Sequence, residues 1–383
     1  MELTGYIYSL FYQPITDTQR EGVGKIMGTE GGDPPRSAIC SAVSSAMTRT
    51  QIAVRKARRD FLDSKRRNLK DSTVRSYKSI TKNFVEYCDS EDVQTTSEID
   101  GYLLEQWKIK RQTEDEVRPA TLKNNVKHIR VFIRWLESTE LAEQGLAEKM
   151  KVPSVTEEEM RSQEIVHPEQ MESILNYLEM YEYASRQHAF LKLLWHIGAR
   201  ISAIVALDVQ DFDPRRGILK IRNRKQTGTA LKNGNKSERN VTLNDEVVDV
   251  LNDYVHGRRL NATDDNGREP LFTTEHGRMG RQRAYKNFVG ISRPCVYEDD
   301  CPHNRKIENC EAAQQKTKAY DCPSSGALHP IRRGSITHHL NQGWPIEEVS
   351  GRCDVSVDVL KKHYDTRTHE DKRQGRSKFV DNL

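Results

Sequence analysis

Along the first half of the chain, apolar residues return every three or four positions: Val74, Tyr77, Ile80, Phe84 and Tyr87 in one stretch, then Leu122, Val126, Ile129, Phe132 and Trp135 in another. That period puts each set on one face of a helix. Ser72 offers a helix start for the first stretch, the second reads as a helix over 121–135, and residues 99–107 supply a third. The pattern predicts a small all-helical domain over 55–148. Residues 149–166 are charged, interrupted by Pro153 and without a stable period, which reads as a linker. Beyond it the signal changes. Residues 189–204 form a strongly apolar helical run, 217–224 and 238–243 read as two strands joined by a turn around Asn233-Gly234-Asn235, and 247–255 are helical again. The expected class is mainly α with a small β-sheet, α+β, with a second domain over 167–383. Residues 1–54 are weakly patterned and rich in small and turn-forming residues, and are expected to form a loosely ordered arm.

Composition adds limits. At 383 residues, with 36% hydrophobic and 30% charged residues, the chain is large enough for two cores and too polar for a membrane protein. No window approaches the roughly 18 uninterrupted apolar residues that a membrane span needs. A secretory leader is not evident at Met1–Tyr12, so a cytoplasmic, nucleoid-associated protein is expected. Sixty Lys and Arg against 56 Asp and Glu give only +4, which says little about partners until the distribution is read. Residues 51–90 carry eleven basic side chains against five acidic, a local excess of six on the helices just described. Such a face is either ordinary solvated surface or a grip on phosphate.

Several small constellations carry chemistry: Gly198-Ala199-Arg200-Ile201-Ser202, then His329-Pro330-Ile331-Arg332, then Lys362-His363-Tyr364-Asp365. Each alone is weak, since an arginine after a helix is commonly an ion-pair partner and a tyrosine beside Val359 and Leu360 is commonly core. Their order is informative. Together with Leu207–Asp213, Thr337-His338-His339-Leu340 and Gly343, the set resembles the tyrosine recombinases, the phage integrase family, and most closely its archaeal virus and plasmid members.

The resemblance spans about residues 55–383 and implies an N-terminal helical core-binding (SAM-like) domain followed by a tyrosine-recombinase catalytic domain. It implies a site-specific recombinase that cleaves and rejoins DNA through a 3′-phosphotyrosyl intermediate to integrate or excise a mobile element, with no cofactor required for catalysis. Tyr364 is then the nucleophile, Arg200 and Arg332 the phosphate-binding forks, and His329 the base. The physical chemistry agrees: permanently charged bidentate donors suit the non-bridging oxygens, and a phenol with a solution pKa of about 10 needs an acceptor for its proton. A hairpin lysine protonates the departing 5′ oxygen. Lys232 fits best, and Lys225 before Gln226-Thr227-Gly228 is the alternative. Two positions depart from the family pattern: Ala203 stands where an acidic residue three after the first arginine is usual, and the second histidine is missing. Arg352 aligns best with the latter, as a phosphate donor or a surface residue.

Cys295, Cys301, His303, Cys310 and Cys322 fall within 28 residues, four of the seven cysteines among them. This cysteine-rich insertion over about 295–322 reads either as a set of tetrahedral Zn²⁺ ligands or as reduced thiols in a loop. For DNA, the resemblance implies a clamp with Lys65, Arg66, Arg67, Arg75, Lys123, Lys127 and Lys225 near phosphates, a monomer in isolation, and a homotetramer on two double-stranded attachment sites. A tail after Tyr364 that packs on a neighbouring protomer is a further expectation. The competing readings are a type IB topoisomerase-like relaxing enzyme and a DNA-binding regulator with weakened catalysis.

Overall fold

The computed structural model describes residues 51–156, 159, 164–364, 373 and 377. Most of the expected arm and the segment after Tyr364 lie outside the described residues. The chain divides between Val155 and Thr156 into two units.

The first unit contains α1 (Val54–Arg66), α2 (Asp71–Ser90), α3 (Gly101–Thr113), α4 (Pro119–Ser138) and the single turn α5 (Leu146–Lys149). The apolar stripes meet around Phe61, Phe84, Trp107 and Phe132, all fully buried, with ring pairs at 5.1 Å for Phe61–Phe132 and 5.8 Å for Phe84–Trp107 in edge-to-face arrangement. Trp107 satisfies its indole N–H on Asn83 Oδ1 at 3.1 Å. Two starts are set by local chemistry: the Asp100 carboxylate accepts from Leu103 N at 2.7 Å to cap α3, and Pro119 opens α4. The start expected at Ser72 is displaced, because α2 begins at Asp71 with Lys70 before it and Ser72 inside the first turn. The unit also runs past 148. Met150 is buried in its core and Val152 packs against that core.

The second unit contains α6 (Pro168–Tyr181), α7 (Arg186–Ile197), α8 (Ile201–Ile204), α9 (Asp245–Asp253), α10 (Arg281–Ile291), α11 (Pro294–Tyr297), α12 (Glu311–Gln314), α13 (Leu328–Asn341), α14 (Ile346–Cys353) and α15 (Val357–His363). Strands β1 (Phe212–Asp213), β2 (Ile218–Ile221) and β3 (Arg239–Thr242) form one antiparallel sheet in that order, with Leu219 opposite both Phe212 and Val241. A second hairpin pairs β4 (Thr273–Thr274) with β5 (Gly277–Arg278). Val166, the last residue of the expected linker, belongs to this unit: it is buried and its N–H donates to Pro330 O at 3.2 Å. Among the described residues no helix is long and apolar enough to cross a membrane.

Motif residues 207–213 have a structural role. Buried Asp208 gathers Arg268 at 3.3 Å, Arg224 at 3.4 Å and Arg278, while Asp211 takes both guanidinium nitrogens of Arg224 at 2.5 and 2.8 Å. This network ties the sheet to the segment that carries β5, and each buried charge has a partner.

The apolar run 189–204 is not one helix. Gly198 adopts φ +64° and ends α7; two residues later Arg200 stands as the cap of α8. Leu194 O takes the Gly198 N–H at 3.0 Å, closing the helix end. A Cβ at Gly198 would lie 2.9 Å from Ser335 Oγ and 3.0 Å from Cys353 Sγ. Gly198→Ala therefore combines left-handed strain with a clash against α13 and α14. Its expected cost is about 2 kcal/mol or more, read as a lowered denaturant midpoint at unchanged slope. A midpoint equal to that of the parent chain contradicts the close approach.

Candidate active site

The break at Gly198 places Arg200 beside α13. On α13 itself, Arg332 is buried and spends its guanidinium on three main-chain carbonyls: Nη1 donates to Gly198 O at 3.0 Å and to Cys353 O at 2.7 Å, and Nη2 to Asp354 O at 3.2 Å. The Tyr364 hydroxyl lies within hydrogen-bonding reach of the same guanidinium. Burial, and then the neighbouring Arg200, lower the pKa of Arg332, while Tyr364 opposes that shift.

Tyr364 caps α15 and is only 9% exposed. Its ring packs in a small core with Ile336, Leu340, Val349, Cys353 and Leu360, and Arg333 lies over the ring face at 5.8 Å from its centre. Thus the side chain is held against the arginines of its own chain. His329 sits in the first turn of α13, with an edge open to solvent. Burial of its ring lowers its pKa below the usual 6.5, and the charges of Arg332, Arg333, Arg200 and Lys232 push the same way. A histidine in that field is neutral at neutral pH and can accept a proton.

The lysine question is narrowed by the same field. Lys232, exposed in the turn between β2 and β3, lies within electrostatic reach of His329. Lys225 occupies a separate single 3₁₀ turn, Lys225–Thr227, and is exposed there.

Arg352 does not join the cluster. Its Nε and Nη2 donate to His196 O at 3.3 and 3.0 Å, its Nη1 donates to Thr242 O at 3.0 Å, and the guanidinium lies 5.3 Å from the Trp344 ring centre. Those donors brace α14 against α7 and β3. Two residues on, Asp354 reaches the site in its place. Its carboxylate pairs with Arg200 and accepts from Ser237 Oγ at 2.8 Å. Arg239 was also missed. It is largely buried, donates to Arg352 O at 2.8 Å and Ser237 O at 2.9 Å, and burial lowers its pKa to about 10. The sequence held one signal for Asp354, an acidic residue ten positions before Tyr364; Arg239 read only as part of a strand.

The cysteine-rich insertion is built from short turns against α10. Arg293 donates to Ala312 O, Gly326 N donates to Ser292 Oγ at 2.8 Å, and Tyr320 meets Tyr285 at 5.9 Å between ring centres. Cys295, Cys301, Cys310 and Cys322 are free and half-buried. Among the described residues no three His, Cys, Asp or Glu side chains are grouped so as to hold a metal ion. His303 Nε2 lies 2.8 Å from Ser324 Oγ.

In the first unit, Lys65, Arg66 and Arg67 end α1, Arg75 lies early in α2, and Lys123 and Lys127 share one side of α4 at a four-residue spacing. Tyr77 links these segments, with its ring 5.4 Å from Phe61 and 4.9 Å from His128, so the basic stretches converge on one region of the bundle. Arg66 is partly neutralised by Asp63 at 2.5 Å, and Lys65 lies 5.3 Å over Phe61.

Arg200, Arg332, His329, Lys232 and Tyr364 thus gather around the first turn of α13. Residues 164–354 match the family model described as the phage integrase family. The tyrosine recombinase XerD of Oceanobacillus iheyensis is 24% identical over 308 residues, covering 78% of this chain and 89% of that protein. A probable integrase/recombinase protein of Methanocaldococcus jannaschii is 24% identical over 314 residues, covering 77% and 82%. Two solved structures share the fold. The Tn1549 transposon integrase in complex with a circular intermediate DNA has a TM-score of 0.59 at 14% identity, covering 86% of this chain and all of that one. A lambda integrase dimer bound to a COC′ core site has a TM-score of 0.53 at 10% identity, covering 85% and 78%. The chain belongs to the phage integrase family, and its class is that of the tyrosine-type site-specific recombinases.

Proposed function

We propose that this chain cleaves and rejoins duplex DNA at attachment sites, integrating or excising a mobile element. The observation that carries the reading is the convergence of Tyr364, Arg332, Arg200, His329 and Lys232 around the first turn of α13. In the proposed step the Tyr364 oxygen attacks the scissile phosphorus, its proton passing to His329. The bond from phosphorus to the 5′ oxygen breaks, and Lys232 gives that oxygen a proton. Arg200 and Arg332 face the non-bridging oxygens. The 3′-phosphotyrosyl bond retains the phosphodiester's energy, so the reverse attack by a 5′ hydroxyl reseals the strand without ATP. Exchange between two duplexes requires four such cuts, one per protomer, hence four protomers in the proposed assembled complex.

A nicked duplex whose cleavage releases a short 5′ fragment traps the covalent product. A protein–DNA adduct on denaturing gels supports the reading, and recombination of two-site DNA separates it from simple relaxation. Binding without any adduct indicates a regulator. The basic convergence in the first unit adds a measurable consequence. If Arg67, Arg75, Lys123 and Lys127 meet phosphates, log Kd rises linearly with log salt, and Lys127→Ala lowers that slope by about 0.9. An unchanged slope removes Lys127 from the contact.

Zinc on the four thiols is a separate proposal. Support for it is the charge interaction of Cys295 with Cys301, Cys310 and Cys322. Elemental analysis of the purified chain is expected to give close to one zinc per chain, lost in Cys301→Ala. A zinc-free, folded and active chain rejects it.

A further inference from the structure

The recombinase reading needs a carboxylate to hold the first arginine, and α8 offers none. Ala203, three residues after Arg200, is a buried methyl. Resting on that reading, we infer that Asp354 is a positioning residue that fixes Arg200 and the lysine-bearing turn in register with each other.

Three segments distant in sequence meet at this one residue. Asp354 Oδ2 pairs with Arg200 Nη1 and accepts from Ser237 Oγ at 2.8 Å, while Oδ1 accepts from Asn233 Nδ2 at 3.4 Å. Its main-chain carbonyl accepts from Arg332 Nη2 at 3.2 Å. Asn233 is the residue next to Lys232, and Ser237 ends the 3₁₀ turn that follows, so the carboxylate ties the lysine loop to Arg200, and the carbonyl of the same residue holds Arg332. The direction of the side chain is itself fixed. Asp354 ends α14 in the left-handed conformation, φ 53°, with its N–H on Ser350 O, a backbone state that aspartate tolerates better than most residues.

Electrostatics gives the carboxylate its second task. Arg200, Arg239 and Arg332 are mutually repulsive neighbours, and Asp354 is the charge that favours keeping Arg239 protonated among them. Without it, Arg200 loses its ion pair and is repelled outward by the other two guanidiniums. The forks then sit apart from the positions they need at the phosphate, and the lysine turn loses its tether. Asp354 acts through Arg200 and Lys232 and needs no contact with DNA.

The test uses the full chain and single-turnover cleavage of the nicked suicide duplex, with DNA affinity measured in parallel. Asp354→Ala is expected to slow cleavage on the order of a hundred-fold while binding is unchanged or tighter, because a negative charge leaves a basic surface. Asp354→Asn keeps hydrogen bonding to Ser237 and Asn233 without the charge and is expected to fall between. The diagnostic readout is a duplex with a neutral methylphosphonate at the scissile position, which has less need of a charged fork. On it the deficit of Asp354→Ala is expected to shrink by about tenfold or more, as does that of Arg200→Ala, and the double variant is expected to cleave no more slowly than Arg200→Ala alone. A wild-type rate in Asp354→Ala overturns the inference. So do equal deficits on phosphate and methylphosphonate, or deficits that add in the double variant. If Asp354→Ala fails to fold, Asp354→Asn and Asp354→Glu carry the same comparison. Absence of any adduct from the wild-type chain overturns the recombinase reading itself and takes this inference with it.

Discussion

Tyr364→Phe leaves duplex binding at its wild-type level and abolishes the covalent protein–DNA adduct. The substitution removes one oxygen from a ring whose carbon atoms pack against Ile336, Leu340, Val349 and Leu360, so the small core around α14 and α15 keeps its volume. Stability is expected to stay within about 1 kcal/mol of wild type. What is lost is the atom proposed to form the bond to phosphorus, and the neighbouring Arg333, which lies over the ring face, offers no nucleophile in its place. The loss is therefore complete. Denaturing gels of the suicide-substrate reaction measure it, and an adduct of undiminished yield from Tyr364→Phe would assign the nucleophile to another residue. Because the hydroxyl lies beside Arg332 of its own chain, mixing Tyr364→Phe with an arginine-deficient variant is expected to restore no cleavage.

Arg332→Ala has the largest effect on fold and chemistry together. Three buried or half-buried carbonyls, those of Gly198, Cys353 and Asp354, lose their donor at once. Leaving one buried acceptor unpaired costs about 1–3 kcal/mol, so a loss of several kcal/mol is expected, read as a shift of the denaturant midpoint. Cleavage is expected to fall by about 10³-fold or more, since the side chain proposed to bind the non-bridging oxygens is removed. Arg332→Lys separates the two contributions. It keeps the charge, but a single ammonium cannot bridge Gly198 O, Cys353 O and Asp354 O in the planar geometry of the guanidinium. Partial recovery of stability with cleavage still about a hundred-fold down is the expected result. Full activity in Arg332→Lys would show that charge alone is required there.

The two large effects differ in how far the chain announces them. Tyr364 and Arg332 carry family motifs at recognisable spacing, and Arg332 also falls at the core-facing side of a helix. Arg352 stands where the family pattern has a second histidine, and its guanidinium is engaged by main-chain carbonyls, while Asp354 two residues on reaches Arg200. Spacing alone cannot distinguish Arg352 from Asp354, since both end α14; the left-handed turn at Asp354 sends its carboxylate to Arg200, while the Arg352 guanidinium is captured by His196 O and Thr242 O. Ala203 shows the same limit from the other side. A missing acidic residue reads as a weakened site until a carboxylate from 154 positions away is seen to pair with Arg200.

By itself the sequence determined the mainly helical α+β class and the order of Arg200, His329, Arg332 and Tyr364 along the chain, and it left the hairpin lysine open between Lys232 and Lys225. These are local properties: a hydrophobic period fixes which face is buried, and side-chain chemistry is carried by the residue wherever it stands. Only the tertiary structure decided that the apolar run 189–204 breaks at Gly198, because the break is imposed by the approach of Ser335 and Cys353 from other helices. It also decided that Lys232 lies within electrostatic reach of His329 and that Asp354 takes up Arg200. Charge pairing and steric contact between distant segments depend on distances in space, and a one-dimensional pattern does not contain them.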